Sequence, residues 1–215
     1  MRFKSREHAA QLLAERLRAG YRSKHPLVLG VPRGAVPMAK IIADALGGEL
    51  DVVLVHKLTH PEQAELAIGA IDEEGNAFVN EWAADLDPAY LETEKKRQLS
   101  LLRERRARYT PLRKSIDPHG RIVIVVDDGI ATGSTMTAAL RAMRARKPKK
   151  LLGAVSVASP EAARAMLHEC DAMVCLIVPA EFYAVGQFFD DFSQVTDDDV
   201  VAILKPAGEN VSALG

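Results

Sequence analysis

The stretch RIVIVVDDGIATGSTMTAAL, residues 121–140, decides how this chain folds. Ile122 to Val126 form an unbroken apolar, β-branched run of the length of a strand buried on both faces. Asp127 and Asp128 follow at once. Two carboxylates cannot be left unpaired in a core, so they are expected to face a cleft at the strand's end. The loop Ala131-Thr132-Gly133-Ser134-Thr135 then leads into a helix expected over about residues 133–146. Gly133 permits a tight turn and a close backbone approach. Free amides at the helix start, with the hydroxyls of Thr132, Ser134 and Thr135, make an anion site.

Outward from this unit, strands and helices alternate. Upstream lie an amphipathic helix over 5–19, an apolar run at 26–31, a helix over 34–47 and the run LDVVLV at 50–55. Two weak strands fall within 67–79, and Asp87-Pro88 opens a helix that runs to about residue 108. Downstream come a strand at 151–158, a helix capped by Ser159, a strand at 173–178, and a short terminal helix behind a capping box at Thr196–Asp199. The pattern implies an α/β fold with a doubly wound, mainly parallel sheet. Ligands bind such sheets at the carboxyl ends of the strands, here the loops after 31, 55 and 126.

The chemistry at those ends is specific. A phosphate monoester suits the 131–135 loop, and two adjacent carboxylates suit a vicinal diol on the same ligand; together they describe ribose 5-phosphate. A plain helix cap would need neither the second acid nor the Thr-Gly-Ser-Thr loop. Neither GxxxxGK[ST] nor GxGxxG occurs in the chain. The segment VIVVDDGIATGST, residues 123–135, resembles the 5-phosphoribosyl-1-diphosphate (PRPP) signature of type I phosphoribosyltransferases. The resemblance extends in topology over about residues 26–180 and is most specific at 123–135. HPEQAELAIGAI, at 60–71, looks like a segment of uncharacterised phosphoribosyltransferase-like proteins, although Glu62, Glu65 and Gly69 suggest no chemical role by themselves.

The resemblance implies roles for further residues. Gly30-Val31-Pro32-Arg33-Gly34 is similar to the family's pyrophosphate loop, where Arg33 would clamp phosphate oxygens and Gly34 would allow close approach. Family members often hold a strained or cis peptide here. Lys57, after LDVVLV, is similar to a diphosphate-contacting lysine, whereas His56 reads as structural. Residues 58–120 correspond to a mobile flap. Between Lys95 and Lys114 this segment carries nine Lys/Arg against one acid, Glu104. Most belong to a solvated helix face, and Arg106, Arg108 or Arg113 is the candidate to close over the diphosphate. Four of the six phenylalanines fall between 182 and 192. Most are expected to pack the C-terminal hood onto the sheet, with Phe182 and Tyr183 the stacking candidates for an acceptor base.

The implied activity is Mg²⁺-dependent transfer of the phosphoribosyl group of PRPP to a nitrogen acceptor such as a nucleobase. Asp127 and Asp128 would serve as the catalytic acids and would reach Mg²⁺ through water. A PRPP- or nucleotide-binding regulator without turnover, and a phosphoribosyl hydrolase, are the other classes the motif allows. Composition is consistent with these readings. The 215 residues carry a formal charge of −1, so no basic field draws the chain to nucleic acid or membrane. The chain is expected to be one unit over 1–215, with the insert at 58–120. Homodimers are compatible with that plan. Cys170 and Cys175 lack metal-ligand spacing and read as reduced thiols. The N-terminus lacks a signal-peptide core, which makes the cytoplasm the expected compartment.

Overall fold

A computed structural model describes residues 2–63, 66–111 and 114–205. Its centre is a five-stranded parallel sheet in the order β2-β1-β6-β7-β8. The strands are β1 (Leu27–Gly30), β2 (Glu49–Val52), β6 (Ile122–Ile130), β7 (Lys150–Ala158) and β8 (Ala172–Ile177). Between β2 and β6 the chain leaves this sheet. It builds a three-stranded antiparallel sheet from β3 (Val55–Thr59), β4 (Ala67–Asp72) and β5 (Ala77–Val79), and then the long helix α3 (Pro88–Tyr109). Helices α1 (Arg6–Tyr21), α2 (Val36–Leu46), α4 (Ser134–Ala145), α5 (Pro160–Met166) and α6 (Asp197–Leu204) complete the order.

The local signals explain most of these boundaries. Ser5 caps α1 by accepting from the His8 amide, and Asp87 caps α3 by accepting from Ala89 at 2.9 Å. Ser159 caps α5, and Thr196 and Asp199 form the capping box of α6. Gly47 closes α2 in the left-handed region at φ 65°. The inner strands are buried along their length, with Val123 to Val126 at 0% exposure, as expected of parallel strands covered on both faces.

Two boundaries differ from the sequence reading. The run LDVVLV is not one strand. β2 ends at Val52, and the chain re-enters strand geometry at Val55 in the other sheet. Hydropathy does not mark the break, because Val53 and Leu54 are as buried as their neighbours. β6 does not end at the acids but runs on through them to Ile130, because β7 keeps pairing in register from Asp127↔Val155 to Ile130↔Ala158.

The smaller sheet lies against α3 and α4, and the Arg141 guanidinium sits 5.0 Å from the Phe78 ring centroid. Gly69 on β4 leaves no room for a side chain; a β-carbon there would collide with the Phe78 carbonyl and Val79 backbone. Arg106 joins the insert to the main sheet. Its guanidinium bonds Asp51 at 2.8 Å, the Val52 carbonyl at 3.0 Å, and Glu73. Cys170 and Cys175 are free thiols whose hydrogen bonds go to backbone carbonyls. Among the described residues no helix is long and apolar enough to cross a membrane.

Candidate active site

Asp127 and Asp128 lie in the C-terminal part of the β6 ladder, each partly exposed. The Asp127 carboxylate accepts from the Asp128 amide at 2.9 Å. Asp128 is held from outside the motif: Arg6, the first residue of α1, donates to its Oδ2 from Nε at 2.9 Å and lies 2.8 Å away through Nη2. Burial and the neighbouring Asp128 charge push Asp127 well above the usual carboxylate range. Burial also raises Asp128, opposed by the charge and hydrogen bonds of Arg6. Of the two adjacent acids, Asp128 is the one hydrogen-bonded to a cation.

The 131–135 loop turns at Gly133, the cap of α4, with φ 79°. The first bond into the helix is from the Thr137 amide to the Gly133 carbonyl at 2.8 Å, so the amides before it are not used by the helix ladder. The Thr132 and Ser134 hydroxyls lie 3.0 Å apart at the mouth, and Ser159, following the end of β7, fixes the loop through the Ala131 carbonyl at 2.7 Å. No acid occupies the first turn of α4. Ala131, Thr132 and Thr135 are exposed, which leaves the loop open to an anion.

The 30–34 loop converges on the same place. The Pro32–Arg33 peptide is cis. Gly34 lies directly on Asp128: a β-carbon would collide with Oδ2 and would come 3.2 Å from Arg6 Nη2. Arg33, 43% exposed, extends toward Asp197 at 3.8 Å. Asp197 opens α6 and also accepts from Arg108 at 3.1 Å and from the Tyr109 hydroxyl at 2.5 Å. Burial, reinforced by this bond, raises the Tyr109 phenol to about 12. A cavity of about 290 Å³ adjoins the cluster, lined by His56, Glu104, Arg105, Arg108 and Asp197 among others. The His56 Nδ1–H donates to Gln98 Oε1 at 2.8 Å, and burial lowers the His56 pKa.

A phosphoribosyl transferase domain model matches residues 4–191. This chain belongs to the phosphoribosyltransferase family. A Mycobacterium tuberculosis H37Rv protein whose name assigns it to the phosphoribosyl transferases is 40% identical over 216 residues, which is 99% of this chain and 48% of that protein. The chain thus spans about half the length of that relative. The crystal structure of TT1426 from Thermus thermophilus superposes with a TM-score of 0.87 at 46% identity, covering 95% of this chain and 98% of that one. AQ2163 from Aquifex aeolicus shares the fold alone, with a TM-score of 0.51 at 13% identity over 84% of this chain and 76% of that one.

Within the phosphoribosyltransferase frame, the positions picked from sequence separate into groups. Asp127, Asp128, Gly34 and the 131–135 loop stand at the carboxyl end of the main sheet, and Arg33 extends from the same end. Lys57 closes no strand of that sheet; it lies exposed within β3, in the insert, while His56 beside it reaches α3 and the cavity. Arg106 is consumed by Asp51 and Glu73, Arg108 faces the cavity, and Arg113 is outside the described residues, as is Glu65. Phe182 packs on Phe188 with centroids 5.6 Å apart, and Tyr183 is 83% exposed. Phe192, not picked, is the ring that meets the acid cluster, through Arg6. Sequence reasoning also missed Arg6, Arg105 and Asp197. Each is an ordinary charged helix residue in one dimension and acquires a role only through partners far away in the chain.

Proposed function

We propose that this phosphoribosyltransferase transfers the 5-phosphoribosyl group of PRPP to a nitrogen acceptor, a nucleobase or a compound like one, with release of diphosphate. The observation that carries the reading is the packing of Gly34 on Asp128, which joins a diphosphate-type loop to a ribose-type acid pair. In this reading the amides and hydroxyls of Ala131–Thr135 hold the 5-phosphate. Asp127 and Asp128 bind ribose hydroxyls and stabilise positive charge as the anomeric carbon loses its leaving group. Asp127, with the more strongly raised pKa, takes the acceptor's proton. The Arg33 and Gly34 amides and the Arg33 side chain receive the departing diphosphate, with Arg105 and Arg108 across the cavity from α3. Lys57 serves the diphosphate only if the insert moves, since β3 holds it away from the main strand ends. Phe182 and Tyr183 flank the acceptor side, where Val185 already lies over Gly129, next to the acids.

Among the described residues no cluster of three or more His, Cys, Asp or Glu gathers to hold a metal by itself. The donor set is the acid pair, with Asp128 already partnered by Arg6. That set fits a Mg²⁺ ion carried by the substrate's own oxygens and reached from Asp127 and Asp128 through water. When bound, the ion would supply charge neutralisation at the diphosphate.

Two internal pairs, Arg6 with Asp128 and Asp197 with Arg33, occupy groups that the ligand would use, and they favour a second reading as a PRPP-binding regulator. Diphosphate release with a panel of nucleobases separates the two, and release without acceptor would indicate a hydrolase. Binding is tested first by thermal shift. At about 100 times its Kd, PRPP should stabilise the fold by about 2.7 kcal/mol, a rise of about 5–10 °C for a domain of this size. No shift at millimolar PRPP with Mg²⁺ would remove the basis of both readings. Gly34→Ala should leave the fold intact and weaken PRPP by about 10-fold or more, because the new methyl displaces a carboxylate that Arg6 holds in place. Unchanged affinity in calorimetry would show that Asp128 does not need its observed position.

A further inference from the structure

The cation at the acid pair comes from outside every motif. Arg6 stands directly after the Ser5 cap, so its backbone is fixed at the start of α1. Its guanidinium makes three kinds of contact at once. Nε and Nη2 both reach Asp128 Oδ2, Nη1 donates to the Ser193 carbonyl at 2.7 Å, and the guanidinium carbon lies 3.7 Å from the Phe192 ring centroid. The side chain is 11% exposed. A planar fork can bond in two directions while stacking on a ring, whereas a lysine ammonium has no plane to stack.

We propose that Arg6 is a positioning residue for phosphoribosyl transfer, fixing Asp128 through Oδ2 and tying the Phe192–Ser193 segment to that acid, so that the ribose side and the acceptor side of the site are set as one unit. The inference rests on the transferase reading above. Both side-chain bonds from Arg6 end on Oδ2, which leaves Oδ1 for a ribose hydroxyl. Among the described residues, the other elements packed around Asp128 offer no substitute cation. Asp127 precedes it on β6, Gly34 faces it from the 30–34 loop, and the C-terminal segment presents Phe192, Ser193 and the acid Asp191. β7 offers Ser156, which the register places beside Asp128 and whose buried hydroxyl makes no hydrogen bond. Arg6 is therefore the group that sets which oxygen of Asp128 stays open to a ligand.

Arg6→Gln, Arg6→Lys and Phe192→Leu test the proposal. Affinity for ribose 5-phosphate should fall about 10–100-fold in Arg6→Gln, the worth of a charge-assisted hydrogen bond. Arg6→Lys, which keeps the charge but has no planar fork, should recover part of the ribose 5-phosphate affinity that Arg6→Gln loses. Phe192→Leu should leave ribose 5-phosphate affinity nearly unchanged and raise the acceptor KM with kcat nearly constant. A purely structural Arg6 would lower the melting temperature and move none of these. Arg6→Gln protein with wild-type affinity for ribose 5-phosphate overturns the proposal. Wild-type protein that binds neither PRPP nor ribose 5-phosphate overturns the transferase reading and the proposal with it, whereas wild-type protein that binds PRPP while Arg6→Gln loses nothing overturns the proposal alone.

Discussion

Asp127→Asn is expected to cut transfer by about 10²–10³-fold and, at neutral pH, to raise the melting temperature. The loss of rate is that of removing one preorganised charge from the place where positive charge develops. The gain in stability follows from the environment of the acid. Asp127 is pushed well above the ordinary range by burial and by the Asp128 charge. A carboxyl whose folded pKa lies above its unfolded value binds its proton more tightly in the folded state. Ionising it therefore costs stability at neutral pH, and that cost fades as the pH falls through the folded pKa toward the unfolded one. Asparagine keeps an oxygen for the Asp128 amide and carries no charge. The gap in melting temperature between variant and wild type should thus close as the pH is lowered.

Asp128→Asn separates the two acids. It should lose activity on the same scale but gain no stability, because it strands a guanidinium that is 11% exposed and whose carboxylate partner has gone. Thermal melts at neutral and acid pH, paired with diphosphate-release rates, provide the comparison. Two variants that keep full activity would make the acids structural. Two that melt alike would mean that Arg6 does not distinguish them.

The local form of the 121–140 segment was legible because each of its parts is local. An apolar run, an acid pair and a Gly-turned loop into a helix are properties of neighbouring residues, and the observed loop keeps that order. What was not legible depends on pairing across the chain. The acids do not end β6, since a ladder continues wherever its neighbour supplies backbone partners, and β7 does so to Ala158. The split at Val53-Leu54 leaves no trace in hydropathy, since one apolar run serves two sheets. Among the cations of α3, sequence offers no means of telling a solvated arginine from a buried one. Their fates are decided by Asp51 on β2 and Asp197 at α6.

Arg106→Met is expected to cost about 3–5 kcal/mol of stability, the scale for removing one partner from a buried ionic network. Arg106 is a candidate by sequence for closing over the diphosphate, but its side chain is 12% exposed and lies between Asp51, at 1%, and Glu73, at 12%. Burial opposes its charge, yet the bond to Glu73 and the charge of Asp51 outweigh it and hold its pKa above the ordinary value. Methionine would fill much of the same volume, so the loss would come from charge and not from a cavity. For a domain of this length the loss corresponds to a fall of about 6–20 °C in melting temperature. Glu73 is already raised by burial, with Arg106 acting against the shift, so removing Arg106 should raise it further. The deficit of the variant should then shrink as the pH falls and Glu73 takes up its proton, and Glu73→Gln in the Arg106→Met background should recover part of the stability at neutral pH. Denaturant unfolding at two pH values measures both effects. A variant within about 1 kcal/mol of the wild type that nonetheless binds diphosphate poorly would mean that Arg106 leaves Asp51 and Glu73 during the reaction, and that the insert is anchored to β2 by something else.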